Sequence, residues 1–222
     1  MSDIFQEVDE EVRRDKAAEF WKKYQNQVLA AAVLIVLASA GFRYWQYERE
    51  SARQAAGDQF QQALAALQGG KLDEAKARLD TIAAQGPSGY RALAQMTAAG
   101  AEASKDPQGA IGAFDAVSGD AAIDPLMRDT ARLRAALLRV DMPGEQQKGE
   151  AALTALSAPG EPYRRLAALA LGALALDRKD YDDAAKQFDL VLGDPEATPD
   201  ERQLASRWLG LVAANRSAAP AK

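Results

Sequence analysis

The side chains in this sequence that could do chemistry are carboxylates and little else. Asp and Glu number 32 against 27 Lys and Arg, with no histidine and no cysteine to partner them. Acid–base catalysis by carboxylates needs a pair whose environments push their pKa values apart, in a cleft that holds substrate. Here the acids recur at helical spacing among Lys and Arg, which is the arrangement of solvated helix faces. Missing histidine removes the commonest general base and metal ligand. Missing cysteine removes a thiolate nucleophile, any disulfide and any Cys-ligated metal. A glycine-rich phosphate loop is wanting too, since Gly69-Gly70 falls in a helix-to-helix turn. No catalytic, cofactor-binding or metal-binding residue is therefore assigned, no cofactor is expected, and the chain reads as a non-enzyme. A net charge of −5 argues against nucleic acid as a partner, because phosphate binding needs clustered basic side chains.

Binding remains, and the elements that would position a binding surface begin with a membrane span. Val28 to Phe42 is an uncharged apolar run of 15 residues, about 22 Å of helix, short for a hydrocarbon core of about 30 Å. Counting from Tyr24 to Tyr47 extends it to about 36 Å, enough to cross with some tilt. Trp21 and Tyr24 at one end, and Tyr44, Trp45 and Tyr47 at the other, have the composition of two interfacial belts. Two other readings compete with the anchor. A buried core helix suits a run this short, and Ala38-Ser39-Ala40 reads as a signal-peptide cleavage site. Against cleavage, the preceding 27 residues contain seven acids, where a signal sequence opens short and basic. Arg13, Arg14, Lys16, Lys22 and Lys23 before the span outnumber Arg43, Arg49 and Arg53 after it, which favours a cytoplasmic N-terminus. The expected division is residues 1–23 as a cytoplasmic tail, 24–47 as the transmembrane helix, 48–215 as a periplasmic domain and 216–222 as a disordered C-terminus. In the tail, Ile4, Val8 and Val12 would form an apolar stripe on a docking helix, or the segment stays frayed.

Beyond the span, Gly, Pro and Asp punctuate segments mostly 11–17 residues long, rich in Ala, Leu, Arg and Gln. Asp106-Pro107 and Asp124-Pro125 each place a cap before a proline at the first helical position. Thr198 with Glu201 makes a capping box. The fold class is all-α, with about four helical hairpins and a closing helix. In the last hairpin, Gly172, Ala175 and Ala184 let two helices approach, and Phe188 fills the space between hairpins. This resembles the tetratricopeptide (TPR) pattern, whose period is about 34 residues. It recurs at Ala75, Leu79 and Ile82 and at Ala110, Phe114 and Val117. The third hairpin, taken on Ala152 and Leu156, fits poorly, and the alanine spacings of 35, 42 and 32 residues are irregular. An ordinary Ala-rich helical bundle is the alternative.

The acidic N-terminal stretch, Glu19-Phe20-Trp21-Lys22-Lys23, the span ending Gly41-Phe42-Arg43-Tyr44-Trp45 and the TPR-like remainder together resemble YfgM-type proteins. These are inner-membrane ancillary subunits of the SecYEG translocon, and their domain family is shared with cell-division coordinator proteins. The resemblance implies a single-pass inner-membrane protein whose periplasmic TPR-like domain passes exported polypeptides to periplasmic chaperones, notably a membrane-anchored isomerase-like one. The expected partners are thus Sec translocon subunits, that chaperone and the lipid bilayer. An envelope scaffold coordinating division or cell-wall synthesis is the alternative function. The repeat register puts Phe60, Leu64, Leu169 and Leu211 near a groove wall, though the same spacing suits packing between hairpins. Ala30, Ala31, Ala38 and Gly41 offer a small-residue face on which a second membrane helix could pack.

An uncleaved anchor has a direct consequence. The mature chain should keep residues 1–40 and stay with the membrane through alkaline extraction. A mature N-terminus at Gly41 would show instead that the run is a processed signal.

Overall fold

Helix composition, with caps and turn residues between the segments, has the outcome the sequence leads one to expect. The computed structural model describes the backbone of residues 3–218 and the side chains of residues 21–217. Among the described residues all regular structure is helical, and nine helices follow in order. They are α1 (Asp3–Gln68), α2 (Leu72–Gln85), α3 (Ser88–Glu102), α4 (Pro107–Gly119), α5 (Pro125–Val140), α6 (Gln146–Leu156), α7 (Arg164–Asp177), α8 (Tyr181–Gly193) and α9 (Pro199–Ala218). Two compact units divide between Gln54 and Ala55.

The first unit is the greater part of α1. Its backbone is helical from Asp3, where a frayed tail was one expectation; the side chains of Ile4, Val8 and Val12 lie outside the described residues. The helix is long and apolar enough to cross a membrane, and none of its apolar window is buried inside the protein. A soluble core helix with that composition would be covered, so the exposure disfavours the buried-helix reading. The one hydroxyl in the run is satisfied within the helix, Ser39 donating to the Ile35 carbonyl at 2.7 Å. After the run, the Arg49 guanidinium lies 3.6 Å over the Trp45 ring, which stacks in turn near Phe42. Ala30, Ala31, Ala38 and Gly41 are all exposed.

The second unit consists of four hairpins, the last turns of α1 with α2, α3 with α4, α5 with α6, and α7 with α8, closed by α9. The expected caps form. Asp106 accepts from the Gly109 amide and Asp124 from the Leu126 amide, each at 2.9 Å. Thr198 and Glu201 exchange bonds reciprocally, at 2.8 and 3.2 Å. α9 runs on to Ala218, so residues 216–218 are helical where disorder was expected; residues 219–222 lie outside the described residues.

The second helices share one core pattern. A small residue is followed four and seven positions later by large apolar ones: Ala75-Leu79-Ile82, Ala110-Phe114-Val117, Gly149-Leu153-Leu156 and Ala184-Phe188-Val191. All twelve are buried. The third set corrects the register taken from the sequence. Its anchor is Gly149, three residues before Ala152, and the intervals between anchors become 35, 39 and 35 residues. A Cβ at Gly149 would sit 2.8 Å from the Val140 amide nitrogen and 2.9 Å from the Ala136 carbonyl oxygen, so α5 and α6 approach too closely even for alanine. Turn geometry repeats as well. Gly70, Gly144 and Lys179 lie five residues before their anchors with φ of 72°, 85° and 61°. At Gly70 and Lys179 the left-handed residue ends its helix in a Schellman pair, with Lys71 donating to Ala66 and Asp180 to Ala175, both at 2.9 Å.

Phe188 has no exposed surface. A Cβ at Gly172 of α7 would overlap its ring. On the other side Trp208 of α9 meets it edge-on, 5.2 Å between centroids. Phe188→Ala should therefore destabilise by about 3–5 kcal/mol and Leu153→Ala by about 2–5 kcal/mol in denaturant titration. A cost at Leu153 below about 0.5 kcal/mol would refute the register built on Gly149.

Candidate functional site

Off the buried stripe of α8 the chain carries one large apolar residue that the hairpin does not need. Leu190 precedes Val191 and is 54% exposed. It lies in a groove of about 780 Å³ that opens over α7 and α8, with Ala168, Ala185 and Val191 also in its lining. Pro159, after α6, and Pro195, after α8, line it from the two loops. Small side chains from both helices are what leave the space: alanine at 168 and 185 fills little of the volume that a leucine would.

An ion network holds the loop beside this groove. The Arg164 guanidinium donates to both carboxylate oxygens of Asp194, at 2.7 and 3.0 Å, and to Glu196 at 2.7 Å. Arg165 donates to Glu201 at 3.0 Å, and Asp194 lies 3.6 Å from it. The Asp194 side chain is only 8% exposed. The Arg164 bond holds the Asp194 carboxyl below its ordinary range, against its burial and helped by the Glu196 amide. Burial pushes Glu201 up, but the Thr198 amide and hydroxyl together with Arg165 outweigh it, and its pKa is lowered. Arg164 is raised, first by Asp194 and then by Glu196. Two-point Arg–carboxylate bonding fixes orientation as well as distance. The network thus ties the start of α7 to the start of α9.

Six charged residues line the groove, and four of them are committed. Arg164, Arg165 and Asp194 bond as described, and Asp182 pairs with Arg216. Lys186 and Asp189 lie on α8 without an ion pair among the described residues. Nor do those residues hold any group of three His, Cys, Asp or Glu placed for a metal ion. The arrangement can seat an apolar group between unlike charges; it has no nucleophile–base pair.

The groove wall expected from the repeat register is corrected. Phe60, 9% exposed, packs with Leu79 and Ile82 and meets the Tyr90 ring at 6.3 Å, and half-buried Leu64 joins the same cluster. Leu169 is buried with Phe188 in another cluster, while Leu211 is 49% exposed on α9. The structure does not bring the four together into one surface. Packing against α2 and α3 covers Phe60 and half-covers Leu64, and packing against α8 covers Leu169. Sequence reasoning missed Leu190, Lys186 and Asp189. The signal for Leu190 was an apolar residue outside the stripe Ala184-Phe188-Val191; the Arg164–Asp194 pair, thirty residues apart, had none.

Antiparallel helix pairs that repeat one packing pattern and stack in sequence order define an α-solenoid repeat protein. The sequence profile of the tetratricopeptide repeat-like domain matches residues 18–162, well over half of the chain, and the chain belongs to that family. The matched stretch takes in the apolar window and the first three hairpins, and ends before α7. Neither the curated proteins nor the solved structures contain a match.

The network predicts a pH dependence with a definite sign. Because the folded pKa values of Asp194 and Glu201 are depressed, their contribution is complete above the unfolded values of about 4 and is lost as pH falls through the folded ones. Thermal stability should be level from about pH 7 to 5 and drop below about pH 4. Asp194→Asn should lower the plateau and flatten the acid limb. An acid limb unchanged in that variant would refute the role given to the pair.

Proposed function

We propose that this protein is a membrane-anchored adaptor whose repeat domain binds polypeptides beside the Sec translocon. One observation carries the reading: a TPR-like domain, of a kind built for protein–protein contact, shares its chain with a helix long and apolar enough to cross a membrane. A solenoid of hairpins presents surface and no reaction machinery. The span sets where that surface works, with the N-terminus in the cytoplasm and the domain in the periplasm, as the bias of Lys and Arg before the span favours. The resemblance to YfgM-type proteins supports the Sec association and the transfer of emerging chains to a membrane-anchored isomerase-like chaperone. Translocon contact would be lateral, between spans, and small side chains permit close approach there.

A photo-reactive side chain at Val33 or Val36 of the full chain in cells should cross-link to a translocon subunit. Ala31→Leu with Ala38→Leu should reduce that cross-link several-fold without preventing insertion. Cross-links confined to division or cell-wall proteins would replace this reading with an envelope scaffold.

A further inference from the structure

Isolated exposed leucines are ordinary on protein surfaces, and Leu93, Leu137 and Leu166 are examples on the first helices. Leu190 differs because it stands in a concavity with three other apolar residues, Ala168, Ala185 and Val191. The charges around it differ from ordinary surface charges too. Four of the six are held in bonds within the chain, which leaves Lys186 and Asp189 as the two without an ion pair among the described residues. Lys186 and Asp189, the unpaired two, are three residues apart on α8, one turn along the same face. A helix laid along α8 would present its own side chains at that same interval, which an extended strand would not.

We propose that this groove docks a short amphipathic helix of a partner polypeptide, with an aliphatic side chain seated against Leu190. A carboxylate and a basic group one turn apart on that helix meet Lys186 and Asp189. The inference rests on the protein-binding reading above and names its docking site and ligand chemistry. Ala168 and Ala185 leave room for the incoming helix to come close. The Arg164–Asp194 bonds fix the loop at the groove before any ligand arrives, so little ordering cost falls on this side of the interface. Apart from Ser157 and Pro159, the groove lining lies beyond residue 162, where the family match ends, and Leu190, Lys186 and Asp189 belong to a part of the chain that the shared pattern does not describe.

The test uses the full chain in nanodiscs and a fluorescein-labelled helical peptide of about 14 residues, long enough to be partly helical alone. Its leucines lie along one face, flanked by Glu and Lys one turn apart, and binding is read by anisotropy. Leu190→Glu should weaken binding about tenfold or more, since it removes a buried leucine contact. Leu137→Glu on α5 should leave it unchanged. Lys186→Glu should weaken it about fivefold, the size of an exposed charge pair, and a peptide carrying Lys in place of Glu should restore it. Unchanged binding by Leu190→Glu, loss with Leu137→Glu, failure of the charge exchange, or no binding of either peptide would each overturn the proposal. In all four cases a translocon cross-link from Val33 or Val36 would leave the adaptor reading standing.

Discussion

Two helices of a hairpin can pack only as closely as the smallest side chain between them allows, and in this domain that side chain is a methyl group or nothing. Ala75, Ala110, Gly149 and Ala184 hold the position in the four second helices, and everything that follows in each hairpin is measured from it. Four and seven residues later come the side chains that fill the space the close approach defines. Dispersion contacts fall away within an ångström of extra separation, so a larger anchor would loosen the whole stripe behind it. In three of the four hairpins a left-handed turn residue five positions earlier (Gly70, Gly144 or Lys179) brings the chain round to that contact. At Lys179 the position is kept even at the energetic cost of a non-glycine residue.

The same constraint decides which residues are left over for function. A stripe at i, i+4 and i+7 uses one face of each second helix, and the first helices pack on the second helices before and after them. Apolar side chains outside those faces serve no packing purpose. Leu190 is one, and the space around it exists because Ala168 and Ala185 are small. Surface that is available for binding is therefore a by-product of how the repeats close. Among the described residues of the first unit none of the apolar window is buried inside the protein, and a bilayer is the environment that would cover it.

Much of this was legible in the sequence, because helix length, caps and turns are local. Asp106-Pro107, Asp124-Pro125 and Thr198 with Glu201 announce helix starts that the structure contains, and Phe188 with Gly172 announces a tight pair. The third hairpin departs from the alanine-anchored pattern because its anchor is Gly149. Gly149 looks like a helix breaker until Val140 and the Ala136 carbonyl are seen against it. Periodicity alone could not tell a wall open to ligand from a face between hairpins, which is why Phe60, Leu64 and Leu169 were placed on a groove they do not line. Trp208 against Phe188 and Arg164 against Asp194 are contacts between distant segments, and no spacing rule joins them.

The account divides labour between a span that sets location and a repeat domain that binds. Exchanging residues 24–47 for an unrelated membrane helix tests that division most directly, with association measured in nanodiscs against purified translocon and against the helical peptide. The account predicts that the exchanged chain loses the translocon and keeps its affinity for the peptide. Retention of the translocon by the exchanged chain would contradict it.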